Sequence, residues 1–278
     1  LARAGYVVPD LLCGMTQYLQ ARQRRRDPER DSGRTTATSV TPSTGGVWVR
    51  ERFTTHRPLA TTDRFLVEGE STGRHVHKGR RYGTTKARTV DSDGSLVATN
   101  LTTGLLSYRV EDGVADGVEG LAPDDTPAPG PDHGAAAANP HVDTLRHLAP
   151  GQRLDPEPLV LTLAMMAARD TANPDTAIHS DAEMARAAGL ERPIAGGSHV
   201  LAFALEPILA ATGPHALSHG ATFDVRWRAP THCDVTIHPR VTVTTTEPDR
   251  VGFDLAVDLA DGITAMVGTV TVPLPRSR

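Results

Sequence analysis

Cysteine is nearly absent: Cys13 and Cys233 are the two in 278 residues. They cannot build a disulfide framework or a Cys-based zinc site, and their separation fits a reducing, cytoplasmic setting. Neither has an evident base partner, so both read as small buried hydrophobes. Aromatic residues are scarce at 4%, which leaves Val, Leu, Ala and Ile to build any core. Neither sign of charge dominates. The 29 Lys+Arg against 33 Asp+Glu give −4, which argues against a chain-wide basic surface for nucleic acid. No apolar run approaches the roughly 18 residues of a membrane span. The longest, Pro158–Ala168, is too short, and the basic start and apolar middle of a signal peptide are missing. The chain begins at Leu1 rather than Met, leaving room for a first strand ahead of it. What is present is a chain 38% apolar and 22% charged, enough for a core and long enough for two domains or one large one.

Pro9–Ala21 predicts a helix, with Pro in the first turn and Leu11, Leu12, Met15 and Leu19 at helical spacing. The basic run Arg22–Arg34 follows and reads as a solvated helix end and loop. From Gly46 to Tyr108 the pattern is strand-like, with Asp93-Gly94 as a hairpin signal. Glu111–Pro140 is rich in Gly, Pro, Asp and Ala and reads as a linker. In the second half Leu159–Ala168 is a short apolar segment, helix or strand. Asp181–Gly189 is a helical turn ending in Gly, with Asp181 as its N-cap. Ile194–Ala211 predicts a long apolar helix stopped by Gly213-Pro214. Four β-rich runs follow: Ala221–Arg228, Val235–Thr246, Val251–Leu259 and Ile263–Val272, with Asp261-Gly262 turning the last pair. Each half thus offers a helix and several antiparallel strands, and one long helix can cover the apolar face of one curved sheet.

The most informative stretch is Ala168–Val200. Its runs IHSDAEMARAAG and PIAGGSHV resemble the MaoC-like hydratases and dehydratases, the hydratase 2 type of the hot-dog fold. VRWRAPTHCDV and DGITAMVGTVTV are similar to that family's later strands, and GRRYGTTKARTVDSDGSLVATNLTTGLLSYR to the degenerate first unit of its two-domain members. The resemblance implies an α+β double hot dog, two long helices each wrapped by a curved antiparallel sheet, forming a pseudo-dimer. Residues 1–110 would form a degenerate N-terminal unit, 111–140 a linker and 141–278 the unit carrying the motif. It implies a cytoplasmic lyase that adds or removes water at the 2,3 position of an acyl thioester on CoA or acyl carrier protein, in fatty-acid or polyketide-type metabolism. No cofactor or metal is implied, nor a nucleic-acid or membrane partner, and a homodimer is compatible with it.

In this family an Asp and a His share one water, which loses a proton to attack Cβ while Cα gains one. A backbone N–H at the start of the central helix stabilises the thioester oxygen. His179 matches the histidine, preceded by Ile178 and followed by Ser180-Asp181, and Gly197 matches the oxyanion glycine. Asn173-Pro174 matches the motif's Asn-Pro, displaced, with Asn173 orienting the loop. The family places its Asp five residues before the His, whereas Asp170 lies nine before His179 and Asp175 four. Asp175 is nearer in sequence and Asp170 keeps the Asp-then-Asn-Pro order, so both stand as the carboxylate. Gly196 occupies a position where the family often has His, and the region's histidine is His199 instead.

The departure in Asp spacing motivates a second reading, a hot-dog enzyme serving as a cyclase or isomerase of a polyunsaturated or polyketide product. A third is a non-catalytic binding module. The pairs His75/His77 and His215/His219 lack further converging ligands for a metal and read as structural. The basic hairpin of Arg74, Lys78, Arg80, Arg81, Lys86 and Arg88 reads as a solvated strand surface before it reads as a grip for the CoA diphosphate or a carrier protein.

Overall fold

The computed structural model describes residues 47–60, 62–106, 110, 113, 115–120, 128–170 and 178–275. The expected helix Pro9–Ala21, the run Arg22–Arg34 and Cys13 lie outside them. Among the described residues the chain forms β1 (Val47–Thr55), β2 (Phe65–His77), β3 (Arg80–Asp91), β4 (Leu96–Leu105) and β5 (Gly117–Gly120). Then come the short helices α1 (His133–Ala136) and α2 (Val142–Arg146), strand β6 (Leu159–Leu161), and helices α3 (Leu163–Asp170), α4 (Ala182–Ala187) and α5 (Gly197–Thr212). Strands β7 (Thr222–Trp227), β8 (Val235–Glu247), β9 (Arg250–Leu259) and β10 (Thr264–Pro273) complete the chain.

All strands join one antiparallel sheet in the order β5-β2-β3-β4-β1-β7-β10-β9-β8-β6. The two halves meet at the β1–β7 ladder, where Phe53 pairs with Phe223 and their rings stack with centroids 4.1 Å apart. On the other face of the same ladder Arg50 grips Asp224, with Nε and Nη2 at 2.9 and 2.6 Å from the two carboxylate oxygens. That bidentate pair holds Asp224 below its ordinary pKa despite partial burial.

Local chemistry explains the turns. At β3–β4, Gly94 takes φ +78°, and Asp91 Oδ1 accepts from the amides of Asp93 and Ser95, both at 2.9 Å. At β9–β10, Gly262 takes φ +84° and Asp261 accepts from Ile263 N–H. The apolar segment Leu159–Ala168 is both strand and helix. Leu159–Leu161 pairs with β8, then Thr162 caps α3 by accepting from Met165 N–H at 3.2 Å.

α5 lies on the inner face of the C-terminal strands. Its Leu201, Ala204, Leu205 and Ile208 are at most 1% exposed and pack with Phe223, Val225, Val241, Phe253 and Val270. Burying one side chain of this size contributes about 1.5–3 kcal/mol. The helix begins at Gly197, three residues later than the hydropathy predicts. Ile194 and Ala195 spend their backbone groups outside it, Ala195 N–H donating to Thr231 O at 2.7 Å. It ends at Gly213, as predicted.

The stretch read as a linker contains β5 and α1. Asp132 caps α1 through Oδ1 and takes His56 Nδ1 on Oδ2 at 2.8 Å, tying this segment to the end of β1. The outward edge of β8 is also occupied. Gly151 and Leu154 donate to Val243 O and Val241 O, and Val243 donates back to Gln152 O, at 2.7–3.0 Å.

Candidate functional site

The site is assembled where three backbone segments cross. Ile178 and His179 form a short turn whose apolar member, 5% exposed, packs with Ala185, Ala188, Leu190 and Ile194. Asp181 caps α4 by accepting from Glu183 and Met184 amides at 2.7 and 3.0 Å. Those amides, Met184 foremost, hold its carboxyl below the ordinary range. The capped helix fixes the turn from its C-terminal side. From the other side Ile194 N–H donates to Ile178 O, while Cys233 N–H donates to Pro193 O at 2.9 Å. The segment leading into α5 is therefore held on both edges.

His179 is half-buried, and its Nδ1 donates to Ile194 O at 2.6 Å. A carbonyl only accepts, so Nδ1 carries a proton, and in the neutral form of the ring the lone pair is on Nε2. That nitrogen faces the start of α5: a Cβ placed on Gly196 would lie 3.8 Å from it. The ring therefore stands in contact range of the helix entrance.

Gly197 is gripped by both halves. A Cβ there would lie 2.8 Å from Trp227 Cε2 and 3.0 Å from Trp48 Cε3, closer than side chains tolerate. Trp227 Nε1 donates to Gly197 O at 3.1 Å, and the two indoles are 5.7 Å apart. Gly197 is the first residue of α5, so its amide has no intrahelical carbonyl to bond. Gly196 supplies no side-chain cap and the first turn has no acidic residue. The positive end of the helix dipole is therefore presented next to the imidazole. An imidazole base beside the first amide of a helix can move a proton at a carbon next to a polarised carbonyl.

The other predicted site residues are not brought into this picture. Asn173 and Asp175 lie outside the described residues. Asp170 closes α3, and its side chain lies outside the description too. His199 sits in α5, 8% exposed, with its ring 5.1 Å from Phe203. His75 stacks on Tyr82 at 4.6 Å, and Arg88 of the basic hairpin pairs with Glu68.

Three residues went unread in the sequence. Trp48 and Trp227 give the glycine its walls. Glu51, on β1, is wholly buried, and burial pushes its carboxyl up from 4.5 to about 7, with Thr102 and Asn100 opposing the rise. The scarcity of tryptophan, two in the chain, was the available signal for the first pair.

No protein-family model and no curated protein matches the chain. Solved structures do. A MaoC-like dehydratase superposes over 90% of this chain and 82% of its own, with 20% identity and a TM-score of 0.64. A conserved hypothetical protein from Mycobacterium tuberculosis, described as a double hotdog, covers 97% and 82% at 16% identity, TM-score 0.58. A protein assigned as an oleoyl thioesterase from Lactobacillus plantarum covers 99% and 92% at 11% identity, TM-score 0.57. The fold is the double hotdog, as the sequence resemblance implied. The long helix of the C-terminal unit and the continuous sheet are its visible parts.

Proposed function

We propose that the chain is a hydratase or dehydratase of the MaoC-like type, acting at the 2,3 position of an acyl thioester. The observation that carries this reading is the pairing of His179 with the entrance of α5. Its tautomer is set by Ile194 O, and its Nε2 faces the glycine pair that opens the helix. In the hydration direction Nε2 takes a proton from water, whose oxygen bonds to C3. The C2–C3 π electrons move toward the thioester carbonyl, and C2 then receives a proton. Gly197 N–H receives the developing oxyanion. Asp170 or Asp175 shares the water and supplies or removes the second proton. Dehydration reverses these steps.

A thioesterase is the second reading, favoured by the full-length superposition on the Lactobacillus protein. It would use the same oxyanion amide but release a thiol.

The test is turnover of a short trans-2-enoyl-CoA, followed by loss of enoyl absorbance and, in parallel, by a thiol reagent. Wild type is expected to hydrate without thiol release. His179→Ala is expected to lose about 10²–10⁴ in kcat while keeping its melting temperature, the ordinary worth of a positioned general base. Thiol release without hydration would move the chain to the thioesterases. Indifference to both the substrate and His179 would favour a cyclase, an isomerase or a binding module.

A further inference from the structure

Glu51 and Asn100 lie side by side on the inner face, on β1 and β4, and both are 0% exposed. Asn100 Nδ2 donates to Glu51 Oε1 at 2.8 Å. The two remaining atoms of the pair, Glu51 Oε2 and Asn100 Oδ1, are buried and have no hydrogen-bond partner. Such groups are rare in folded proteins and ask for a missing donor or acceptor.

Their place in the fold says what could supply it. On β1 the next inner-face residue toward the site is Trp48, which walls Gly197. Glu51 is thus the neighbouring inner-face position to Trp48 along β1, a backbone spacing of roughly 7 Å. On its other flanks stand Val225, Phe53 and Thr102, none of which titrates, and the Thr102 hydroxyl also hydrogen-bonds the Glu51 carboxyl. An acyl group held by its thioester at Gly197 and running along this face would carry its middle carbons past the pair.

We propose that Glu51 and Asn100 form a polar subsite that receives a hydroxyl group on the acyl portion of the substrate, a few carbons beyond the reacting double bond. This rests on the thioester reading above. The choice of a hydroxyl follows from the atoms. Asn100 Oδ1 only accepts. Glu51 Oε2 donates when protonated and accepts when ionised, and burial lets both forms exist near neutral pH. A hydroxyl can donate to one atom and accept from the other. A keto oxygen would satisfy only the protonated carboxyl, and a plain methylene chain would satisfy neither.

The test separates this subsite from the chemistry. Binding of saturated, unreactive octanoyl pantetheine is compared by calorimetry with its 5-, 6- and 7-hydroxy counterparts. At least one hydroxylated probe is expected to bind tenfold or more tightly than octanoyl. Glu51→Leu and, independently, Asn100→Leu should collapse that ratio toward one, with circular dichroism reporting the fold of each. Equal binding of all probes to wild type, or no detectable binding of any, overturns the proposal. The former means that the pair serves an ordered water only. So does a ratio that survives in a folded variant. A ratio that collapses in the variants of a protein that hydrates no enoyl thioester leaves the subsite standing and removes the hydratase reading alone.

Discussion

The two halves of the sheet share one backbone ladder and fill its inner face in opposite ways. One row runs Thr85, Thr102 and Glu51 through the N-terminal strands and continues as Val225, Gly268, Leu255 and Val241. The next runs Ala87, Asn100 and Phe53, then Phe223, Val270, Phe253 and Val243. The C-terminal side is large and apolar because α5 presses Leu201, Leu205 and Ile208 onto it. The N-terminal side is short and polar. The same scaffold is thus finished as an apolar core on one side and as a buried polar face on the other. The seam between them, at Trp48, Gly197 and Trp227, is where the candidate chemistry sits.

That contrast can be broken from either side. The largest effect is expected in the apolar half: Phe253→Ala should cost about 3–5 kcal/mol in urea unfolding, since its buried ring stands among side chains that cannot all collapse into the gap. A loss below 1 kcal/mol would mean that this half is not the tightly packed one. Next comes the polar half. The Glu51 carboxyl titrates at about 7 in the fold against 4.5 in the free side chain. A raised carboxyl pKa means that the native state holds the proton more firmly. Its contribution is harmless below about pH 4.5 and turns increasingly unfavourable as pH rises toward 7, reaching about 3 kcal/mol. Glu51→Gln should therefore leave stability at pH 4 nearly unchanged and raise it by up to that amount at pH 8. Parallel stability curves for wild type and variant would show that the carboxyl is solvated. The smallest effect is at the seam. Gly197→Ala would push a methyl into both indoles and should cost about 1–3 kcal/mol. It should also lower kcat more than it lowers melting temperature, a separation that a purely structural glycine would not show.

How legible these features were depends on how local their cause is. The Asp93-Gly94 and Asp261-Gly262 turns, the Asp181 cap and the Gly213 stop are set by a few neighbouring residues, and the sequence displays them. His179 and Gly197 were proposed from the runs that flank them, IHSDAEMARAAG and PIAGGSHV, and the structure places the two runs side by side. Glu51 was hidden for a geometric reason. In VWVRERF strict alternation puts Trp48 and Phe53 on opposite faces, with Glu51 facing away from Trp48. The β1–β4 register slips between Trp48 and Arg50, so one extra residue returns both aromatics and Glu51 to the inner face. No property of the local sequence announces that bulge. The union of the two units into one sheet was equally unreadable, because the β1–β7 pairing joins residues more than 160 positions apart.

The strap of residues 151–155 along β8 has a bearing on how the molecule meets other copies of itself. By engaging the carbonyls of Val241 and Val243 and the amide of Val243, it uses up the groups that an incoming chain would need to lengthen the ladder there. Growth by strand addition is blocked along that stretch of β8. Self-association over this stretch has to rest on side chains, which substitutions can tune without disturbing the backbone beneath.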